Sequence, residues 1–235
     1  MKSRPPQGEF DAYATGYEAE LNRGLSLTGE GREFYARGRV RWTARCLDRR
    51  QARIEAVLDF GCGTGDTLPL LREYLRPRRL AGIDVSARSL ELAQRKFSAP
   101  DCRFVTPDEM EAAAESFDLV YTNGVFHHIP PTERPAVLDR LHRWLRPGGW
   151  LAFWENNAWH PGTRWIMSRV AFDRDARPFG AARARRLLRN AGFEIVETDF
   201  LFVFPRALGW LRPAESLLCR LPLGGQYQVL ARRPV

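Results

Sequence analysis

Asp59, Gly61, Gly63, Gly65 and Asp84 are the residues of this chain whose types and spacing most directly imply chemistry. The run Val57-Leu-Asp-Phe-Gly-Cys-Gly-Thr-Gly-Asp66 leads an apolar segment into glycines at alternate positions. Glycine is needed where the backbone takes φ > 0 or passes very close to a ligand. A buried strand entering such a loop, then a helix, presents free backbone N–H groups to a nucleoside. Asp84 closes a second apolar stretch, Leu80-Ala-Gly-Ile-Asp84. A carboxylate at that point, about 20 residues on, suits two ribose hydroxyls. Asp59 precedes the first glycine by two positions, where an acid is awkward for a diphosphate and well placed for a cation such as the ammonium end of an amino acid. Further along, His127 and His128 follow the polar tip of an apolar run, and histidine titrates near neutral pH, as a proton acceptor must. Glu155, Asn156, Asn157 and His160 follow another apolar run. They suit a polar acceptor or the orientation of a base, or else an ordinary hydrogen-bonded surface loop.

These residues need strands to hold them at one edge. Apolar runs predict strands at 56–60, 80–84, 102–105, 117–122 and 150–154, alternating with helical patterns at 65–75, 86–97 and 131–145. In the last of these, Leu138, Leu141, Trp144 and Leu145 recur at helical spacing, and Ser86 is placed to cap the helix before it. The alternation implies an α/β fold, a doubly wound parallel sheet with helices on both faces. Ligands then lie outside the carboxyl ends of the strands, where all the candidate residues fall. A helix at 180–191 and strands at 193–204 and 226–232 complete the chain, the strands joined by a connection too long for a hairpin. Residues 1–50 read as two or three helices forming an N-terminal cap or lid, and 51–235 as the main domain with an irregular aromatic insert at about 155–180.

Taken in order, five pieces of the sequence resemble the motifs of class I S-adenosylmethionine-dependent methyltransferases of the small-molecule type. They are Asp59-Phe-Gly-Cys-Gly-Thr-Gly65, Gly82-Ile-Asp84-Val85-Ser86, Arg103 to Glu109, Phe117 to Ile129, and Leu145-Arg-Pro-Gly-Gly149 to Glu155. The resemblance implies a mostly parallel seven-stranded sheet closed by an antiparallel strand, and S-adenosylmethionine as cofactor. It places Asp59 near the methionine end, and Gly61, Cys62, Gly63 and Gly65 under the cofactor. Asp84 and Val85 fall at the ribose and Asp108 and Glu109 at the adenine, while Asn123, Gly124 and His128 lie along the cofactor side. His127, and alternatively His128, is then the candidate base, required only if the acceptor carries a proton that must leave. Tyr17 is a candidate lid over the cofactor, and Tyr13, Glu155, Asn156 and His160 face the acceptor. Tyr13 and Tyr17, four apart, are equally compatible with packing one helix against the body.

The expected activity is methyl transfer to an oxygen, nitrogen or carbon atom of a small aromatic or apolar metabolite. A lipid or quinone acceptor at a membrane surface is the alternative, motivated by Phe200-Leu-Phe-Val-Phe204 and the Leu/Trp connection after it. An RNA or protein methyltransferase and a silent scaffold rank lower. The Asn/Asp-Pro-Pro-Tyr tetrad of amino-methylating enzymes is missing, and the motif glycines and acids are intact. A nicotinamide enzyme ranks lower too, because the glycine pattern is G-x-G-x-G rather than G-x-G-x-x-G.

Composition fits this reading. The 235 residues are 44% hydrophobic, enough for one domain with a real core. No apolar run is long enough to span a bilayer, and the start lacks the apolar region of a signal peptide, so a cytoplasmic protein is expected. Cys46, Cys62, Cys102 and Cys219 stand singly, without metal spacing, in keeping with a reduced compartment. The net charge is +8, yet only Lys2 and Lys96 are lysine and the arginines are spread along the whole chain, so no nucleic-acid partner is expected.

Overall fold

The protein is described by a computed structural model covering residues 29–97, 99–111, 117–169 and 176–235. Seven strands form one sheet: β1 Ala56–Phe60, β2 Arg79–Ile83, β3 Cys102–Val105, β4 Phe117–Asn123, β5 Leu145–Asn156, β6 Glu194–Leu201 and β7 Gln226–Arg232. Their order is β3-β2-β1-β4-β5-β7-β6. The pairs from β3 to β5 are parallel, whereas β7 runs antiparallel to both β5 and β6. From β1 the chain winds outward to β3, then returns to place β4 on the other side of β1. The carboxyl ends of β1 and β4 therefore flank the point where the winding reverses, which opens a crevice.

The strands are buried on both faces because helices cover both. Leu58, Phe60, Ala81, Ile83, Val120, Leu151 and Phe153 pack with helices Arg134–Trp144 and Ala181–Asn190. Val57, Leu80, Leu119, Ala152 and Trp154 share the opposite core with helices Arg32–Asp48, Leu68–Leu75 and Ala87–Lys96. Successive strand residues point to opposite faces, so the register decides which core each joins.

Several elements differ in extent from their sequence patterns. The helix expected at 131–145 begins at Arg134, because Pro130 to Glu133 turn first. The expected strand 150–154 extends from Leu145 to Asn156. Its early part pairs Leu145 with Phe117 across a register shift, and its far end pairs Asn156 with Gln226. That antiparallel partner adds hydrogen bonds no local pattern reveals. The expected strand 193–204 stops at Leu201, ahead of Phe202 with φ 65°. The insert after β5 contains a short helix, Pro161–Met167.

Helix Arg32–Asp48 is tied to the edge strand β6 by buried polar contacts. Trp42 Nε1 donates to Asp199 Oδ2 at 2.9 Å. Glu197 accepts from Arg220 at 2.8 Å and pairs with Arg50 at 3.1 Å and Arg49 at 3.3 Å. Cys46 lies close enough to Glu197 and Asp199 to complete a cluster of possible metal ligands. The three arginines already neutralise its carboxylates, so the cluster reads as an ionic clasp. Burial raises the pKa of Glu197, and the hydrogen bonds and charges of Cys46, Arg220 and Arg50 outweigh it and hold the group below the ordinary carboxylate range. Its contribution is therefore present at neutral pH and is lost as pH falls through that lowered value. Glu197→Gln is expected to reduce folding stability at neutral pH by about 1–3 kcal/mol, read by urea denaturation. An unchanged urea midpoint at pH 7 refutes the clasp.

Candidate active site

The loop after β1 is shaped by three different demands on its glycines. Gly61 has φ 75°, and a Cβ there collides with Val125 of the loop after β4. Gly65 has φ 83° and lies against Ala93 of helix Ala87–Lys96 and Phe97 at its end. Gly63 has φ 53°, and a Cβ at this position meets no atom of the described residues within 4 Å. Two glycines thus permit close packing, while Gly63 turns a bare stretch of main chain toward open space. The Cys62 side chain points elsewhere: its Sγ lies 2.8 Å from the position of a Cβ on Gly82 of β2. Burial, followed by the charges of Asp59 and Asp84, pushes its thiol well above the usual range, which makes it an inert packing group.

Asp84, just beyond β2, accepts from Gly63 N at 2.8 Å and from Ser86 N at 2.9 Å. It thereby fixes the loop beside it, and a carboxylate retains lone pairs for hydroxyl donors. Ser86 caps helix Ala87–Lys96 by accepting from Ser89 N, and Val85 lies between the two, half-buried.

Asp59 is buried in β1, opposite Gly82 of β2 and Tyr121 of β4. Its Oδ2 finds no hydrogen-bond partner among the described residues. Burial first, then the charge of Asp84, pushes the carboxyl up to about 8, with Arg39 pulling the other way. Arg39 and Tyr121 are buried with it, and Arg39 Nε and the Tyr121 hydroxyl also lack partners among the described residues. Arg39 reaches Gln226 of β7 through Nη1 at 2.8 Å. Sequence reading missed both residues. Its available signal was spacing: Arg39, Thr43 and Cys46 fall on one buried stripe of their helix.

A second centre forms beyond β4. Glu155 was expected just after the fifth strand, at the mouth of the site; it lies instead within β5, opposite Tyr227, and is buried. Its Oε1 accepts from Phe126 N at 2.8 Å and from His127 N at 3.3 Å. Its Oε2 lies 2.6 Å from His127 Nδ1. The contact places a proton on Nδ1 and leaves Nε2 as the basic nitrogen. The His127 ring also approaches Gly124, whose φ is 66°, at the end of β4. The His128 ring packs against it, tilted by 49°, with ring centres 4.1 Å apart. Burial, then His127, pushes His128 down to about 2, so it is neutral throughout the physiological range.

The remaining candidates are less closely gathered. Asn123 ends β4 half-buried. Asp108 and Glu109 occupy an exposed turn beyond β3, and Glu109 is committed to Thr106 N at 2.7 Å and Thr106 Oγ1 at 2.9 Å. Asn156 accepts from Gln226 at 3.1 Å. His160 caps helix Pro161–Met167, its Nδ1 accepting from Thr163 N at 3.1 Å. Asn156 thus bridges β5 and β7, and His160 closes the first turn of its helix. Tyr13 and Tyr17 lie outside the described residues.

Comparison with known proteins agrees with this geometry. Residues 57–149 match a family described as a methyltransferase domain. A trans-aconitate 2-methyltransferase of Escherichia coli is 30% identical over 149 residues, 60% of this chain and 58% of that protein. A tRNA N(3)-methylcytidine methyltransferase of Drosophila melanogaster is 34% identical over 108 residues, 42% of this chain and 33% of that protein. The chain thus spans little more than half of the first of these relatives and a third of the second. Among solved structures, a chain from the complex of the Haloferax volcanii Trm112 methyltransferase activator with a methyltransferase superposes with TM-score 0.63 at 20% identity, covering 97% of this chain and 98% of that one. A S-adenosylmethionine-dependent methyltransferase from Mesorhizobium loti gives 0.60 at 18% identity, covering 83% and 98%. The sheet is that of the class I, Rossmann-like methyltransferases.

The buried Asp59 carboxyl gives a direct test. Its native pKa lies above the unfolded value, so the native state holds its proton longer and folding stability falls as pH rises from the ordinary carboxylate range through about 8. Carboxyl carbon resonances compared between wild type and Asp59→Asn should show one group titrating near that pH, and the variant should lose the slope. A midpoint at an ordinary carboxylate value of about 4 refutes the assignment.

Proposed function

We propose that this chain, whose residues 57–149 carry a class I methyltransferase domain, transfers a methyl group from S-adenosylmethionine to an oxygen, nitrogen or carbon atom of a small acceptor. One observation carries the reading: Gly63, open among the described residues, and Asp59 Oδ2, without a partner among them, lie between the winding's two halves, with Asp84 beside them. These groups suit the cofactor's chemistry. A cation near Asp59 supplies the missing partner and draws the carboxyl into its ionised form. Arg39, buried alongside with a free Nε–H, suits the carboxylate of the same amino-acid end. Asp84 suits the ribose hydroxyls, and Gly63 allows the main chain to approach closely.

When bound, the cofactor supplies a sulfonium-linked methyl already activated by positive charge. The protein then has to hold an acceptor atom in line with it and exclude water. An acceptor that carries a proton also needs a base, and His127 suits that role. Glu155 holds the Nδ1 proton, which fixes the tautomer, and Nε2 takes the proton from the acceptor. His128 suits it poorly, since burial makes its conjugate acid too strong. The exposed Trp159 and Trp165, on the segment that follows β5, support an aromatic or apolar acceptor. Transfer to a lipid or quinone at a membrane surface is a second reading, favoured by the apolar surface described below.

Calorimetric titration with S-adenosylmethionine and its demethylated product tests the cofactor assignment. Asp84→Ala is expected to remove measurable binding; unchanged affinity would falsify the ribose role. A labelled-methyl screen over phenols, amines, quinones and lipids identifies the acceptor. With a protic acceptor, His127→Ala should lower kcat by about a hundredfold or more and leave cofactor affinity nearly intact. Full turnover by that variant removes His127 as base.

A further inference from the structure

The connection between β6 and β7 is a surface strap with no part in the chemistry above. Residues Arg206–Ala214 form a 3₁₀ segment and Glu215–Leu218 a single helical turn, and neither contains a buried residue. The strap is nonetheless apolar: Trp210 is 76% exposed and Leu217 83%, with Leu208, Leu221 and Leu223 exposed beside them in sequence. Trp159, 71% exposed, belongs to a neighbouring segment. Asn157 Nδ2 donates to Pro222 O at 3.2 Å and Gly224 O at 2.8 Å, and Thr163 Oγ1 to Gly225 O at 2.9 Å, which binds the two segments together. Both β5 and β6 run antiparallel to β7 and hence parallel to each other. The two segments therefore leave the same end of the sheet as the glycine loop and His127.

Their charge is one-sided. The segments 157–169 and 205–225 contain Arg164, Arg169, Arg206, Arg212 and Arg220 and a single acid, Glu215; Arg212 pairs with Glu30 at 2.8 Å and Arg220 with Glu197 and Asp199, which leaves Arg164, Arg169 and Arg206 to carry the surface charge. Glu215 is turned inward, accepting from Val203 N and Phe204 N at 3.0 Å each. Arg169 stacks over Trp165 at 3.5 Å. A concentration of exposed tryptophan and leucine is unusual on a surface that faces only water. Tryptophan and leucine interleaved with arginine suit the boundary between acyl chains and headgroups, and the positive charge suits an anionic one.

We propose that this strap and the Trp159 segment dock the protein onto bilayers containing anionic phospholipid, with the mouth of the site turned toward the membrane. The surface stands apart from the cofactor assignment, so the two can fail separately. The test is co-sedimentation of the full chain with vesicles of phosphatidylcholine alone and of phosphatidylcholine with phosphatidylglycerol. Binding is expected to the anionic vesicles, weakening as salt is raised. The W210E/L217E pair alters two exposed side chains and should weaken that binding by about tenfold or more, with melting temperature and S-adenosylmethionine heat unchanged. Failure to sediment with anionic vesicles overturns the proposal, as does equal binding to neutral vesicles or binding that the pair does not weaken. A wild-type dimer that the pair dissolves, without vesicle binding, overturns it in favour of a second copy of the chain.

Discussion

A carboxylate enclosed in an apolar sheet without a partner is the constraint on which this site turns. Asp59 sits in the middle of the sheet's parallel region, where water cannot solvate its charge. Burial there costs free energy unless a counter-charge arrives or the proton stays. Arg39 and Tyr121 lie close by and leave its Oδ2 unsatisfied. The fold thus holds a poised acid at the point where β1 and β4 part. A cationic ligand, when it binds, recovers what burial of the carboxylate cost.

The same edge of the sheet carries a contrasting carboxylate. Glu155 is as buried as Asp59, yet both its oxygens are engaged, by two backbone N–H groups and an imidazole. It clamps the loop after β4 onto β5 and fixes the His127 ring against β5. Among the described residues, one buried acid has both oxygens engaged and the other leaves Oδ2 without a partner. On the function proposed above, that difference separates a group that positions from a group that binds.

The acceptor is a separate question, because the shared domain tolerates many. The relatives act, by their names, on trans-aconitate and on tRNA cytidine. The methyltransferase-domain family matches residues 57–149, which form the crevice at the carboxyl ends of β1 and β4. The segments after β5 and β6, which rim the crevice, are where this chain's aromatic and apolar surface lies. The function proposed above assigns acceptor choice to these connections and the common chemistry to the sheet.

Local sequence determined the strands, their alternation with helices, and the loop of glycines with its flanking acids. These depend on short-range periodicity and on backbone conformations only glycine takes easily. Ser86 as a helix cap was legible for the same reason, since a cap bonds within three residues. The extent of β5 was not legible, because its far end exists only through pairing with β7, about seventy residues later in the chain. The partnership of Glu155 with His127 and the approach of Arg39 to Asp59 were hidden likewise. Each joins elements distant in sequence, and no periodicity records a contact made by folding. Sequence alone named the acids; which of them is left without a partner was decided by the tertiary structure, because burial and partnership are properties of the packed sheet.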